Sequence, residues 1–203
     1  MANQYYLQAL TERLLAGLDR LPEGQRAPHL AYLRKAQNPD GGFSGRQGGS
    51  DLYYTGFALR SLAVLDALTP EIAERCAGYL RGCLHQQAGV VDFFSLLYSC
   101  MLVQLAGGPD ALAASPADWP ERVADLLETF RTADGGYGKL PGSASGSTYH
   151  AFLVALCYEM LGKPLPKPEQ LAAFVQSRRR EDGGFVEIAP MKRSGTNPTA
   201  AAV

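Results

Sequence analysis

Charge of one sign is what this sequence most clearly lacks. Its 203 residues carry 19 Lys and Arg against 20 Asp and Glu, a net charge of −1. Nothing in that balance draws the chain to nucleic acid. No apolar run reaches the length that spans a bilayer, so no integral membrane contact is expected. Gln4, Gln8 and Glu12 occupy the stretch where a secretory leader needs an apolar run, and the final Ala-Ala-Val is no lipidation signal. A cytoplasmic location is the expectation. Cysteine is sparse: Cys76, Cys83, Cys100 and Cys157 all fall inside helical patterns, and none forms a Cys-x-x-Cys pair. Buried, reduced thiols fit this better than metal ligands or disulfides. There is no Ser/His/Asp constellation. The glycines at 41, 42, 45, 48 and 49 follow no strand, which excludes a nucleotide-binding loop. An apolar fraction of 46% over 203 residues is enough for one folded domain, residues 1–203, with a real core.

What the sequence does have is a repeat. Asp40-Gly41-Gly42-Phe43, Asp134-Gly135-Gly136-Tyr137 and Asp182-Gly183-Gly184-Phe185 lie 94 and 48 residues apart. A spacing near 48 places a fourth copy around residue 87, where Gln86 to Asp92 reads as a decayed version. Self-similarity at a fixed period marks a repeat architecture. In each copy the glycines stop one helix and allow positive φ. The aromatic residue plugs between helices, and a polar residue such as Ser50 or Asp51 caps the next helix.

Helical periodicity fills the space between these turns. The first helix spans 5–18, ended by Pro22 and Gly24. Outer helices are expected over 28–37, from Thr69-Pro70-Glu71 to about His85, from Asp118 to Arg131, and over 168–179. Inner helices, apolar nearly all round, are expected over 51–66, 92–106 and 148–161, with another starting near Thr196. The fold class is therefore all-α, built of about four helical hairpins.

Loops preceding inner helices should share one rim. Helix N-termini there favour anions, and the loops carry Arg46, Lys139, Lys192 and Arg193. The first inner turns carry Tyr53, Tyr54, Phe57, Phe93, Phe94, Tyr98, Tyr149 and Phe152. Such aromatics can simply be core, and such cations can simply be solvated. Together they also suit an amphiphile with a phosphate head and an apolar tail.

The three in-phase Asp-Gly-Gly-(Phe/Tyr) turns, each between helices, resemble the prenyltransferase and squalene-cyclase repeat, and the resemblance covers nearly the whole chain. It implies an α/α toroid, here incomplete or open. Gly41-Gly42-Phe43-Ser44-Gly45-Arg46 and Asp51-Leu52-Tyr53-Tyr54 are similar to a segment of protein prenyltransferase β subunits of the geranylgeranyl-transferring kind. By that likeness Arg46 and Tyr54 hold a diphosphate and Asp51 is a zinc ligand, in a central cavity lined also by Tyr53, Phe94 and Tyr149. Tyr53 stands where the family has its zinc-binding cysteine, and Ser95 where it has histidine. His150 matches the histidine register one repeat later, and Asp92 opens the intervening helix. Asp51, Asp92 and His150 are thus the candidate catalytic and zinc residues, but neither frame gives a full ligand triad. Terpene cyclases, the other branch, use an Asp-x-Asp-Asp acid motif that this sequence lacks. The thioester motif of complement-like toroids is also absent. The resemblance implies an isoprenoid or similar lipid diphosphate as ligand, with a homo-oligomer or a helical partner subunit. The rival reading is a non-catalytic repeat module that binds a protein.

Overall fold

A computed structural model describes residues 5–18, 20–84 and 89–203. Among them are nine α-helices: α1 Tyr6–Leu18, α2 Glu23–Lys35, α3 Leu52–Val64, α4 Pro70–Gly82, α5 Val90–Leu105, α6 Trp119–Glu128, α7 Thr148–Met160, α8 Pro168–Ser177 and α9 Thr196–Ala202. No strand occurs among the described residues, so the all-α expectation holds. Two compact units emerge. The first joins 1–87 to 95–115 and the second joins 88–94 to 116–203, so α5 begins in one and ends in the other.

Helix starts follow side-chain capping. Asp51 accepts the Tyr54 N–H, Thr69 the Ile72 N–H and Ser147 the His150 N–H, each satisfying a donor that the first turn leaves free. Two boundaries differ from expectation. Helix α2 starts at Glu23 rather than Pro28, and Gly24 lies inside it. Pro22, with φ −57° and ψ 140°, already presents the backbone for helix entry. Pro28 then removes one bond to the Gly24 carbonyl, in a helix that has no buried residue. Helix α4 ends at Gly82; His85 and Gln86 to Ala88 lie outside the described residues, and with them most of the decayed repeat copy.

The inner helices carry the core. Leu59, Leu62, Val103 and Val154 are fully buried. Gly56 on α3 lets Ser95 and Ser99 of α5 approach within ordinary contact. All four cysteines are buried and free. Burial pushes the Cys76 thiol up to about 11 and that of Cys100 up to about 12, which keeps them protonated and inert.

The three Asp-Gly-Gly turns are one structure built three times. Gly41, Gly135 and Gly183 have φ of 92°, 86° and 83°, a region open to glycine at no steric cost. Each aspartate accepts the N–H of the second glycine, at 3.0, 3.4 and 3.0 Å. A single bridge closes each turn: Gln37 with Phe43, Arg131 with Tyr137, Arg179 with Phe185. The aromatic residue is buried in every copy. Its carbonyl then accepts the N–H of the residue that caps the next inner helix: Asp51, Ser147 and Gly195.

Candidate functional site

In the first unit, the turn delivers the chain to α3. Gly45 lies flat against Tyr54, where a methyl would sit 2.7 Å from the ring. Arg46 follows directly and is solvent-exposed, with no ion pair among the described residues. Along α3, Tyr53, Tyr54 and Phe57 are 38%, 47% and 51% exposed. Their rings meet edge to face, Tyr53 to Tyr54 at 5.5 Å and Tyr53 to Phe57 at 4.8 Å. Three large aromatics on one exposed helix face are not core filling, since core aromatics are buried. Phe57 continues into a pocket of about 490 Å³ among α1, α2 and α3, lined by Leu14, Leu33, Val64, Arg60 and others. Its walls are mainly apolar, with Arg60, His29 and Ser61 as polar groups. Apolar walls with a few polar groups are the usual make-up of a small-molecule site. Asp51 is exposed and acts as the cap of α3, its Oδ1 accepting the Tyr54 N–H at 3.1 Å.

The second unit holds Asp92, Phe94, Lys139, Tyr149, His150, Lys192 and Arg193. Asp92 accepts the Gly89 N–H at 3.1 Å in the first turn of α5, and Phe94 beside it is half-buried. Here the starts of three inner helices do converge. Gly89, before α5, faces the Lys139 carbonyl. The loop before α9 is stitched to α7: Thr148 donates its N–H to the Glu187 carbonyl at 3.0 Å and its hydroxyl to the Val186 carbonyl at 2.7 Å. Ser147 Oγ donates to Glu187 Oε1 at 3.1 Å. The Thr148 and His150 amides are therefore already bonded, which leaves α7 little free N–H for an anion.

His150 is 9% exposed, stacks edge to face on Tyr149 at 5.7 Å, and has an Nδ1 with no hydrogen-bond partner among the described residues. Burial lowers its pKa; the Glu187 carboxylate opposes this, and Lys139 adds to it. Lys139, Tyr149, His150, Ser147 and Glu187 thus form one polar cluster. Lys192 and Arg193 lie exposed on the same loop as Glu187. Glu187 is the residue that sequence reasoning missed. The signal was there in the repeat register: Glu187 and Lys139 each fall two residues after the aromatic of their turn.

Among the described residues no group of three His, Cys, Asp or Glu gathers to hold a metal. Asp51 belongs to the first unit, and Asp92 and His150 to the second. Asp51 and Asp92 spend carboxylate oxygens on backbone N–H groups. A zinc site needs about four converging ligands; within the second unit, no such group forms around Asp92 and His150 among the described residues.

Residues 2–186 match the prenyltransferase alpha-alpha toroid domain, so the chain belongs to that family. It is also similar to a drimenyl diphosphate synthase of Streptantibioticus cattleyicolor, with 27% identity over 165 residues. That match covers 76% of this chain, but the chain spans only 30% of the relative's length.

Proposed function

We propose that this chain binds an isoprenoid diphosphate, laying the hydrocarbon along Tyr53, Tyr54 and Phe57 and holding the diphosphate with Arg46. The observation that carries the reading is the exposed aromatic ladder on α3, which starts beside the Arg46 loop and runs into the pocket. Aromatic faces hold an apolar chain and attract any cation that develops on it. A guanidinium grips phosphate oxygens bidentately, which lysine cannot copy. Within the second unit, Lys139, Lys192 and Arg193 are further exposed cations that suit an anion, near the polar cluster of Tyr149, His150 and Glu187 and with Phe94 as an apolar neighbour in the same unit. The cytoplasm, where thiols stay reduced, suits the four free cysteines.

Two reactions fit. Prenyl transfer to a thiol would need a metal-activated nucleophile, and Tyr53 occupies the cysteine place. The relative's name favours the second: a terpene synthase whose product keeps its diphosphate. These 203 residues hold no Asp-x-Asp-Asp acid motif, so the part assigned here is binding and shaping the substrate.

Isothermal calorimetry with farnesyl and geranylgeranyl diphosphate tests this. Charge-assisted hydrogen bonds contribute roughly 1.5–3 kcal/mol, so Arg46→Ala should weaken binding on the order of 10- to 100-fold while the helical circular dichroism stays unchanged. Absence of binding to the wild type would replace this reading with that of a non-catalytic repeat scaffold for a protein partner.

A further inference from the structure

Two residues beyond the aromatic of a turn, the loop reaches a position that faces the third residue past the next helix cap. In the first copy these two residues are Gly45 and Tyr54, counted from Phe43 and from the cap Asp51. In the second they are Lys139 and His150, counted from Tyr137 and from the cap Ser147. Both pairs meet. A methyl on Gly45 would lie 2.7 Å from two carbons of the Tyr54 ring and 3.2 Å from a third. Burial lowers the His150 pKa, and the Lys139 ammonium close by adds to it.

The same two places carry opposite surfaces. In the second copy a long cationic side chain accompanies a polar ring that is 9% exposed. In the first copy the loop offers no side chain at all, and a ring that is 47% exposed lies directly on its backbone.

The glycine is there for room. Gly45 is not among the residues with positive φ, so its backbone suits any residue. Carbon atoms pack at about 3.5–4.0 Å, so no Cβ fits at Gly45 while Tyr54 keeps its place. What would give way is an exposed side chain at the start of α3, free to swing into solvent. Tyr54 is also the first rung of the ladder: its ring meets Tyr53 edge to face at 5.5 Å, and Tyr53 meets Phe57 at 4.8 Å. Arg46 is the very next residue in the loop, so this rung stands where the ligand's head passes into its chain.

We infer that Gly45 is a positioning residue for the aromatic ladder: its bare backbone sets the Tyr54 ring edge-on to Tyr53 and so shapes the apolar surface that receives the hydrocarbon next to the diphosphate. The inference rests on the isoprenoid reading above. A larger residue at 45 turns the first rung away and leaves the fold intact.

The test is a cycle of Gly45→Ala, Tyr54→Ala and the double variant, titrated with farnesyl diphosphate in the calorimeter. Each single change should weaken binding roughly five- to tenfold. The double variant should bind no more weakly than Tyr54→Ala alone, since the glycine acts only through that ring. Nuclear Overhauser contacts between the Tyr53 and Tyr54 rings, present in the wild type, should disappear in Gly45→Ala. Wild-type affinity in Gly45→Ala would overturn the inference, as would retained ring contacts or a full further loss in the Tyr54→Ala background. A fall in the urea midpoint of Gly45→Ala that Tyr54→Ala does not restore would also overturn it, because the glycine would then serve the backbone. A wild type that binds no farnesyl diphosphate would overturn the isoprenoid reading itself, and this inference with it.

Discussion

The first and second Asp-Gly-Gly turns share a backbone and differ in what holds it. The first is held without an ion pair among the described residues. Gln37 Nε2 donates to the Gly41 carbonyl at 3.0 Å and to the Ile72 carbonyl at 3.3 Å, and Cys76 Sγ donates to the Gly41 carbonyl at 3.0 Å. The second is ionic. Arg131 pairs with Glu128 at 2.7 Å and lies over the Tyr137 ring at 4.5 Å, and Glu128 also accepts hydroxyls from Tyr137 and Tyr158 at 2.6 and 3.2 Å. Asp134 accepts from Thr132, from the Gly146 N–H and from Arg178. The lesson is that shape, set by glycine and aspartate, tolerates either chemistry around it. Shape and chemistry should therefore fail separately.

Breaking the shape should have the largest effect. Gly41→Ala and Gly135→Ala combine a strained positive φ with a collision against the helix seated on the turn, at the Arg75 carbonyl of α4 and the Gln170 carbonyl of α8, and should each cost about 3 kcal/mol. Gly183→Ala has the strain without the collision and should cost about 1 kcal/mol. Urea midpoints would separate them, and equal losses at all three glycines would remove the seated helices from the account. Next comes the chemistry. Glu128→Gln leaves the Arg131 guanidinium, 11% exposed, without its counter-charge, and should cost about 2 kcal/mol. Gln37→Ala loses neutral bonds and should cost about 1 kcal/mol.

Acid should weaken the second turn. Burial raises the Glu128 and Asp134 pKa values, but hydrogen bonds from Arg131 and Tyr137 to Glu128, and from Thr132, Gly146 and Gly136 to Asp134, outweigh it, and both are lowered. Carboxylates with depressed folded pKa values contribute stability above their unfolded values, near 4, and lose it as pH falls through the folded ones. Trp119, the single tryptophan, opens α6 in the second unit, so its fluorescence should report unfolding below about pH 4 that Glu128→Gln blunts. His150 acts earlier. Its lowered pKa favours the neutral ring, so stability should decline as pH drops below the ordinary histidine value near 6.5, and His150→Gln should remove that slope. The surface pair Lys163–Glu121, at 2.6 Å, should matter least: Lys163→Ala should change stability by less than about 0.5 kcal/mol.

The turns were legible because their grammar is local: aspartate, two glycines and an aromatic decide the backbone within four residues. Capping by Asp51, Thr69 and Ser147 was legible for the same reason. The start of α2 was not, because Pro28 reads as a breaker unless Pro22 is recognised as the entry to the helix. The candidate residues of each unit were legible only in pieces. Arg46, Tyr53 and Tyr54 lie close in sequence, whereas Glu187 meets Ser147 across 40 residues, a pairing that only the stacking of α9 on α7 creates.

The backbone bridge that closes each turn has a consequence for how such a chain can change. Phe43, Tyr137 and Phe185 hand their carbonyls to Asp51, Ser147 and Gly195. The clamp is complete before and after the segments 44–50, 138–146 and 186–194. The first is shorter than the other two and the three share almost no sequence, yet each leads into its inner helix through the same carbonyl-to-amide bond. The exposed stretches 46–49, 139–142 and 188–193 can take insertions, deletions and new side chains at little cost in stability, so an array of this kind can acquire new specificities one loop at a time.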